Sequence, residues 1–454
     1  MGSLLRGSIN TAYLATTQIL HLFHLPSFFT SAHISTSTLA IMSISSVPFV
    51  SRVVGQHALE IISRDKARAQ KILAGVNPHG PVGRFRAARH RGHHGHHGGS
   101  GDGSTTEPEV PGGGESSNGV DVTDAGVTYT ASVGVGQPAT QYTLLIDTGS
   151  SNTWLGADKK YVKTSTSKST GDRVNVSYGS GSFSGTEFVD TVTIAPGLVI
   201  SKQSIGVAST AQGFQGVDGI LGIGPVDLTQ GTVSNTETVP TVTDNLFAQG
   251  TISQDMIGIS YEPTTAENVS NGELSFGSVD ASKTTGDVNF VPITSTQPAG
   301  SYWGIDQTIS YGEGETILDS TAGIVDTGTT LLLLATDAFQ KYQRLTGAKL
   351  DRTTGLLTIT EAQFEKLQSL FFNIGGVNYE LTANAQIWPR SLNSTIGGTE
   401  GKIYLVTADM GSESGQGLDF INGFAFLQRF YSIYDTGNSQ VGLATTPFTN
   451  AETN

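Results

Sequence analysis

From residue 120 to the C-terminus the chain is a succession of short apolar runs cut by polar turns. The runs 128–135, 142–146, 173–178, 188–194, 273–276 and 288–292 are rich in Val, Ile, Thr, Tyr and Phe. They end on Gly, Asn-Gly or Ser-Gly, the punctuation of strands. Stretches with helical period are few: 242–249, 335–346 and 360–370. This texture predicts a mostly β chain of two-lobed length.

The pattern before residue 120 is different. Semi-apolar stretches at 12–25 and 28–40 are broken by His21, His24, Pro26 and His33. A secretory signal needs a basic start, an apolar run and small residues before the cut. Arg6 and the small residues near Ala40 supply the first and the last, so 1–41 reads as a poorly defined signal region, and Met42 offers an alternative start. No run reaches the ~18 apolar residues of a membrane span. Over 56–75, Leu59, Ile62, Ala69 and Leu73 recur at multiples of three and four, with Arg64, Lys66, Arg68 and Lys71 interspersed. Such a helix is either solvated or a basic prosegment lying on an acidic surface, and its place ahead of a linker favours the second. Residues 90–119 are Gly-, His- and Ser-rich and too polar to order themselves, so they read as a flexible, cleavable linker. His93, His94, His96 and His97 could hold a metal there, but a solvated linker is the simpler reading. The organisation expected is therefore a doubtful N-terminal region 1–41, a propeptide with linker 42–115, an N-terminal lobe 116–292 and a C-terminal lobe 293–454.

Charge sharpens this division. The 454 residues carry a formal charge of −14 and no cysteine. Residues 1–114 hold +5 and all ten histidines, and the remainder holds −19 and none. Without His or Cys the long second part cannot run Ser-His, Cys-His or His-metal chemistry, and no disulfide frames it. Carboxylates are left as its candidate acid and base. Its acidic balance argues against a nucleic-acid partner.

One internal repeat carries the candidate chemistry. LLIDTGSSNTW (144–154) is echoed by GIVDTGTTLLLL (323–334), so Asp147 and Asp326 each follow three apolar residues and precede Thr-Gly and two hydroxyl residues. An apolar run before an Asp describes a buried strand that delivers a carboxylate to its end. The Thr-Gly turn then surrounds that carboxylate with small side chains and backbone N–H groups. One such tripeptide is only a turn; two in the same frame, one per half, are specific. Each is followed by an apolar run ending in Gly, DGILGIG (218–224) and LDFINGFAFL (418–427). Between the first pair lies VSYGSGSFSG (176–185), a Gly/Ser-rich hairpin headed by an aromatic, with the mobility of a lid.

On these motifs the chain resembles the pepsin-type aspartic endopeptidases over about residues 116–448. YVKTSTS (161–167), GVDGILGIGPVDLT (216–229), ELTANAQIWPR (380–390) and the absence of Cys are most similar to the fungal, basidiomycete polyporopepsin type. The resemblance implies a mostly β bilobal fold, two β-barrel-like lobes related by a pseudo-twofold with the cleft between them. It implies that Asp147 and Asp326 are the catalytic pair, with Ser150 and Thr329 bonded to their outer oxygens. Thr148 and Thr327 would lock the two turns together, with Gly149 and Gly328 completing them. Tyr178 would be the flap tyrosine, hydrogen-bonded to Trp154, with Gly179 and Ser180 at the flap tip. Two carboxylates so close cannot both ionise cheaply, so one holds a proton while the other activates water. No metal and no other cofactor is expected. The expected partners are extended peptides with bulky apolar residues at the scissile bond, and pepstatin-type inhibitors, with the enzyme a secreted monomer. Zymogens of the family place a prosegment Lys at the dyad, and no matching Lys lies between residues 76 and 114. Asn175, Asn268 and Asn393 begin N-x-Ser/Thr sequons compatible with secretion. The alternatives are a catalytically inactive binding protein of the same fold and a two-carboxylate glycosidase. The intact set of Asp, hydroxyl and flap Tyr residues disfavours the first, and the Asp-Thr-Gly symmetry disfavours the second.

Overall fold

The computed structural model describes residues 45–54, 58–75, 126–266 and 269–454. The signal region, Arg84 to Arg91, the His-rich linker, the expected maturation point near 114–116 and Asn268 lie outside the described residues. The described chain opens with strand β1 (Ser45–Val54) and helix α1 (Ala58–Leu73). Strands β2 (Gly126–Val135), β3 (Thr140–Asp147), β4 (Trp154–Leu155), β5 (Lys168–Ser177), β6 (Ser182–Ala195), β7 (Leu198–Gln212) and β8 (Gly219–Gly222) follow. After helix α2 (Val242–Ala248) come β9 (Met256–Tyr261), β10 (Val269–Phe276), β11 (Asn289–Pro292), β12 (Gly304–Tyr311), β13 (Glu315–Val325) and β14 (Leu332–Leu334). Helix α3 (Thr336–Thr346) leads to β15 (Lys349–Leu350), β16 (Leu357–Ile359), the short helix α4 (Glu361–Phe364), β17 (Leu370–Ile374) and β18 (Val377–Leu381). The chain closes with β19 (Ile403–Tyr404), β20 (Thr407–Asp409), β21 (Phe420–Asn422), the turn helix α5 (Phe424–Leu427), β22 (Phe430–Asp435) and β23 (Gln440–Thr445).

A 13-stranded sheet runs β11-β23-β22-β9-β10-β1-β2-β3-β8-β4-β7-β6-β5, and a seven-stranded sheet runs β18-β17-β12-β13-β21-β14-β20. Strands β15, β16 and β19 form a small third sheet. Within β3 the alternation of the sequence is realised: Tyr142, Leu144 and Ile146 are buried, and the strand ends on buried Asp147. The second repeat has a structural reason. Each Asp-bearing strand pairs in parallel with the later Gly-ended run, β3 with β8 and β13 with β21, so both turns have the same support.

Two features of the N-terminal segment were not legible in the sequence. Strand β1 sits inside the large sheet, between β10 and β2. Its Phe49 stands opposite Gly272, where any Cβ would lie about 1.9 Å from the Phe49 ring, so only glycine fits. The ring packs edge-on against Tyr129 and Tyr261, with centroids 5.6 and 5.1 Å away. Helix α1 forms where expected but is rotated. Its inward face is Ala58, Ile61, Asp65, Ala69 and Ile72, and Leu59 is 49% exposed. An acid in the middle of that stripe concealed it.

A further expectation is corrected. The helix expected over 360–370 is a single turn, α4, closed by a capping box between Thr360 and Gln363. Leu370, Phe372 and Ile374 are buried alternately and go into strand β17, so sheet packing overrides the helical period. Among the described residues no helix is long and apolar enough to cross a membrane.

Candidate active site

Asp147 and Asp326 come to the ends of β3 and β13 and are both buried. Each turn is built alike. Gly149 N–H donates to Asp147 Oδ1 at 3.0 Å, and Gly328 N–H donates to Asp326 Oδ1 at 3.1 Å. The Ser150 hydroxyl donates to Asp147 Oδ2, and the Thr329 hydroxyl donates to Asp326 Oδ2 at 2.6 Å. The turns hold one another crosswise: Thr148 N–H donates to Thr327 Oγ1 at 3.0 Å, and Thr327 N–H donates to Thr148 Oγ1 at 2.9 Å. The Thr327 hydroxyl donates to the Ile146 carbonyl at 3.2 Å. Donors to carboxylate oxygens are the stronger class of hydrogen bond and fix the two carboxyl groups in place. Two acids fixed this way share one site, which suits water activation by one and carbonyl polarisation by the other.

A third group completes the site. Arg68, on α1, lies between the two turns: its Nη2 donates to Asp147 Oδ1 at 2.5 Å and to Asp326 Oδ1 at 2.9 Å, and its Nε donates to Asp326 Oδ2 at 2.7 Å. That one nitrogen reaches both inner oxygens shows how close the carboxylates are. A Cβ on Gly149 or Gly328 would strike the guanidinium. Burial by itself disfavours the charged guanidinium, but the two carboxylates outweigh it and raise the Arg68 pKa above its ordinary value. One turn earlier in the helix, Asp65 accepts from Thr330 N–H at 3.1 Å and Leu331 N–H at 3.0 Å, just beyond the Asp326 turn. Burial pushes the Asp65 carboxyl up to about 6, against the opposing pull of Arg64 and these two N–H groups. Arg64 donates to Thr330 Oγ1 at 2.7 Å, and Lys66 reaches Asp409 at 3.3 Å.

Tyr178 heads the hairpin turn between β5 and β6, which is closed by Tyr178 N–H donating to the Gly181 carbonyl at 2.7 Å. Trp154 Nε1–H donates to Tyr178 Oη at 2.8 Å. The Tyr178 ring is buried among Trp154 and Phe214, and burial drives its hydroxyl pKa well up. Gly179 lies against α1, since a Cβ there would come within 2.6 Å of the Arg68 backbone, and Ser180 is exposed beside it. Leu145, Tyr178, Phe214 and Ile220 make an apolar wall next to Asp147.

The structure thus brings together Asp147, Asp326, the two Thr-Gly pairs, Ser150, Thr329, Tyr178 and Trp154. Sequence reasoning missed Arg68 and Asp65. A prosegment cation was sought between residues 76 and 114, and it stands instead inside the helix at 56–75, as an arginine. The signal was the Arg64–Arg68 spacing of one helical turn, with Asp65 on the apolar stripe. Among the sequons, Asn393 is 2% exposed and its amide donates to the Thr399 and Lys402 carbonyls at 3.0 and 2.8 Å, so the folded chain offers no nitrogen to a sugar there. Asn175 is exposed on β5. No group of His, Cys, Asp and Glu suited to a metal occurs among the described residues.

Comparison with known proteins gives one answer. The family described as eukaryotic aspartyl protease matches residues 128–446. Polyporopepsin from Irpex lacteus is 64% identical over 337 residues, which are 74% of this chain and 99% of that protein. Pepsin A from Bos taurus is 31% identical over 334 residues, 70% of this chain and 83% of that protein. The crystal structure of an aspartic proteinase from Irpex lacteus superposes with a TM-score of 0.71 at 64% identity, covering 72% of this chain and 96% of that one. The mostly β, pepsin-like fold implied by the resemblance is the fold of that neighbour.

Proposed function

The chain belongs to the eukaryotic aspartyl protease family and is an aspartic-type endopeptidase, and from that premise we propose that Asp147 and Asp326 are its catalytic dyad and that residues 45–75 hold it shut in a secreted precursor. The observation that carries this reading is the guanidinium of Arg68 bonded to both carboxylates at once. A cation between two acids occupies the place of the attacking water and supplies the charge that a shared proton supplies in the working pair.

With α1 withdrawn, the two acids face each other without a counter-ion and retain a single proton between them. The ionised member takes a proton from water as the water attacks the peptide carbonyl. The protonated member donates to the carbonyl oxygen as it becomes an oxyanion. Gly149, Gly328, Ser150 and Thr329 hold the carboxylates in place, and the Thr148–Thr327 pair fixes the spacing of the turns. The Tyr178 hairpin closes over an extended substrate and excludes water. The apolar wall of Leu145, Phe214 and Ile220 supports a preference for bulky apolar side chains beside the scissile bond. The lobes divide at about 292/293, and the mature chain begins near 114–116.

The test is digestion of haemoglobin or casein at acid pH, with and without pepstatin, by precursor previously held at pH 3 or at pH 7. Pepstatin-sensitive activity after pH 3, with a new N-terminus near 114–116, is the expected result. Full activity at neutral pH with residues 45–75 still attached would sink the reading.

A further inference from the structure

The hairpin that carries Tyr178 has an outer face that the chemistry above does not use. Along β5, Val174 and Val176 turn into the apolar cluster with Trp154 and Phe183, so Arg173, Asn175 and Ser177 turn outward. On that side lies a cavity of about 450 Å³ lined chiefly by Arg173, Asn175, Ser184, Ser209, Thr232 and Ser234. Its volume falls within the ~300–1,000 Å³ of small-ligand sites. Its rim is fixed by the backbone. Asn175 N–H donates to the Thr232 carbonyl, Arg173 N–H to Ser234 Oγ, and Ser234 N–H to the Arg173 carbonyl, each at 2.9 Å. On the far side Ser209 Oγ–H donates to the Ser184 carbonyl at 2.9 Å. The Ser184, Ser209 and Ser234 oxygens and the Arg173 guanidinium offer a pyranose acceptors and donors around this hollow, while the Thr232 hydroxyl is already committed, donating to the Thr229 carbonyl at 2.6 Å and accepting from the Asn152 amide at 3.0 Å.

Asn175-Val176-Ser177 is a sequon whose asparagine is both exposed and part of this lining. We propose that Asn175 carries an N-linked glycan whose first N-acetylhexosamine sits in the cavity, bridging the lid's stem to the 231–234 loop. The inference rests on the secretion reading above, because the sugar donor belongs to that route. In the transfer, Asn175 Nδ2 forms a bond to C1 of an N-acetylhexosamine carried on a lipid pyrophosphate. The C1–O bond to the pyrophosphate breaks, the lipid pyrophosphate leaves with the bonding pair, and Nδ2 gives up one proton to solvent. Since Asn175 precedes Tyr178 by three residues, the seated sugar stiffens the stem of the hairpin while leaving its tip free.

The full chain, expressed in a secreting fungal host, is recovered from both medium and cells and trimmed with an endoglycosidase that leaves one hexosamine. Peptide mass mapping is expected to find that hexosamine on Asn175 and none on Asn393. Hydrogen exchange at 173–177 and 231–234 is expected to be at least about threefold slower than in the Asn175→Gln variant, with kcat of the matured enzymes equal. An unmodified Asn175 in either fraction overturns the proposal, and so does a modified Asn175 with no difference in exchange. Protein modified at Asn175 that never reaches the medium counts against the secretion reading instead.

Discussion

Asp147 and Asp326 each accept from the backbone N–H two residues on and from the hydroxyl three residues on, while Arg68 gives one bond to Asp147 and two to Asp326. On the proposed mechanism both are needed, one as acid and one as base. Asp147→Asn and Asp326→Asn should therefore each lower kcat by at least about 10²-fold, the lower range for general acid–base catalysis. Circular dichroism should be unchanged, and a folded variant with more than a few per cent of wild-type kcat refutes the assignment. On the proposed reading Tyr178 acts by position and not by bond-making. Tyr178→Phe removes the acceptor of the Trp154 N–H but keeps the ring, a loss of about 1 kcal/mol that should reduce kcat/KM about fivefold. The pH profile should keep its shape, and an unchanged kcat/KM would return Tyr178 to a packing role. These residues were legible because each Asp-Thr-Gly turn closes on itself within three positions, and the long-range Thr148–Thr327 and Trp154–Tyr178 contacts join motifs that are each recognisable alone. The burial of Asn393 was not, because it depends on carbonyls six and nine residues further on.

At the scale of elements, α1 lies on the two Asp-Thr-Gly turns and, on the reading proposed above, blocks them. Of its two decisive groups only Asp65 titrates in acid, since the carboxylates hold Arg68 above its ordinary value. Asp65 is raised from 3.8 to about 6 when buried, so the docked helix binds its proton more tightly than the free one. That contribution to docking is fully present below about 4 and is lost as pH rises through about 6. Asp65 therefore opposes release in acid, so release is expected to draw on other carboxylates whose charge holds α1 down, such as Asp409 opposite Lys66. Arg68→Met deletes the counter-ion of the dyad and leaves the two acids buried without it. Truncating one partner of a buried charge pair costs about 2–5 kcal/mol. At pH 5 the variant precursor should develop activity at least about 30-fold faster than wild type, measured as the rate of peptide cleavage after a pH jump. An equal rate would show that Arg68 is not the lock. The existence of α1 was legible in its period, but its rotation was not, because a buried aspartate satisfied by distant N–H groups looks polar in sequence. Nor was β1 legible, since its partners β10 and β2 lie far along the chain.

Over the whole molecule, the sequence showed a division of charge, +5 before residue 115 and −19 after it, and the structure adds acids whose ionisation burial shifts to higher pH. Glu187 is 2% exposed, with Ser204 Oγ–H donating to its Oε1 at 2.6 Å, and Oε2 has no hydrogen-bond partner among the described residues. Burial, opposed in part by Ser204, lifts it from 4.5 to about 7. Asp255 is lifted to about 6 by burial, with Asp244 and Asp435 adding to the shift. A raised carboxyl stabilises the fold fully below its unfolded pKa, and that stability is lost as pH climbs through the folded value. For Glu187 the window is about 4.5 to 7, and the shift corresponds to about 3 kcal/mol. Glu187→Gln, made in the Asp147→Asn background to prevent self-digestion, should leave Tm at pH 4 nearly unchanged and raise it by several degrees at pH 7. Parallel Tm curves for the two proteins would remove Glu187 from the account. Hence burial of Glu187 and Asp255 favours the folded molecule in acid. Composition alone could not show this, because counting acids does not reveal which of them are buried.

On the maturation proposed above, the strand between β10 and β2 gives the finished enzyme a history: the central sheet assembles around a template that the matured chain lacks. Instructions for assembly and for catalysis then lie on opposite sides of the cut bond, and the cut acts as a ratchet. Precursor unfolded in denaturant is expected to recover its activity on dilution while matured enzyme does not, and equal recovery by both would deny β1 the part of a mould.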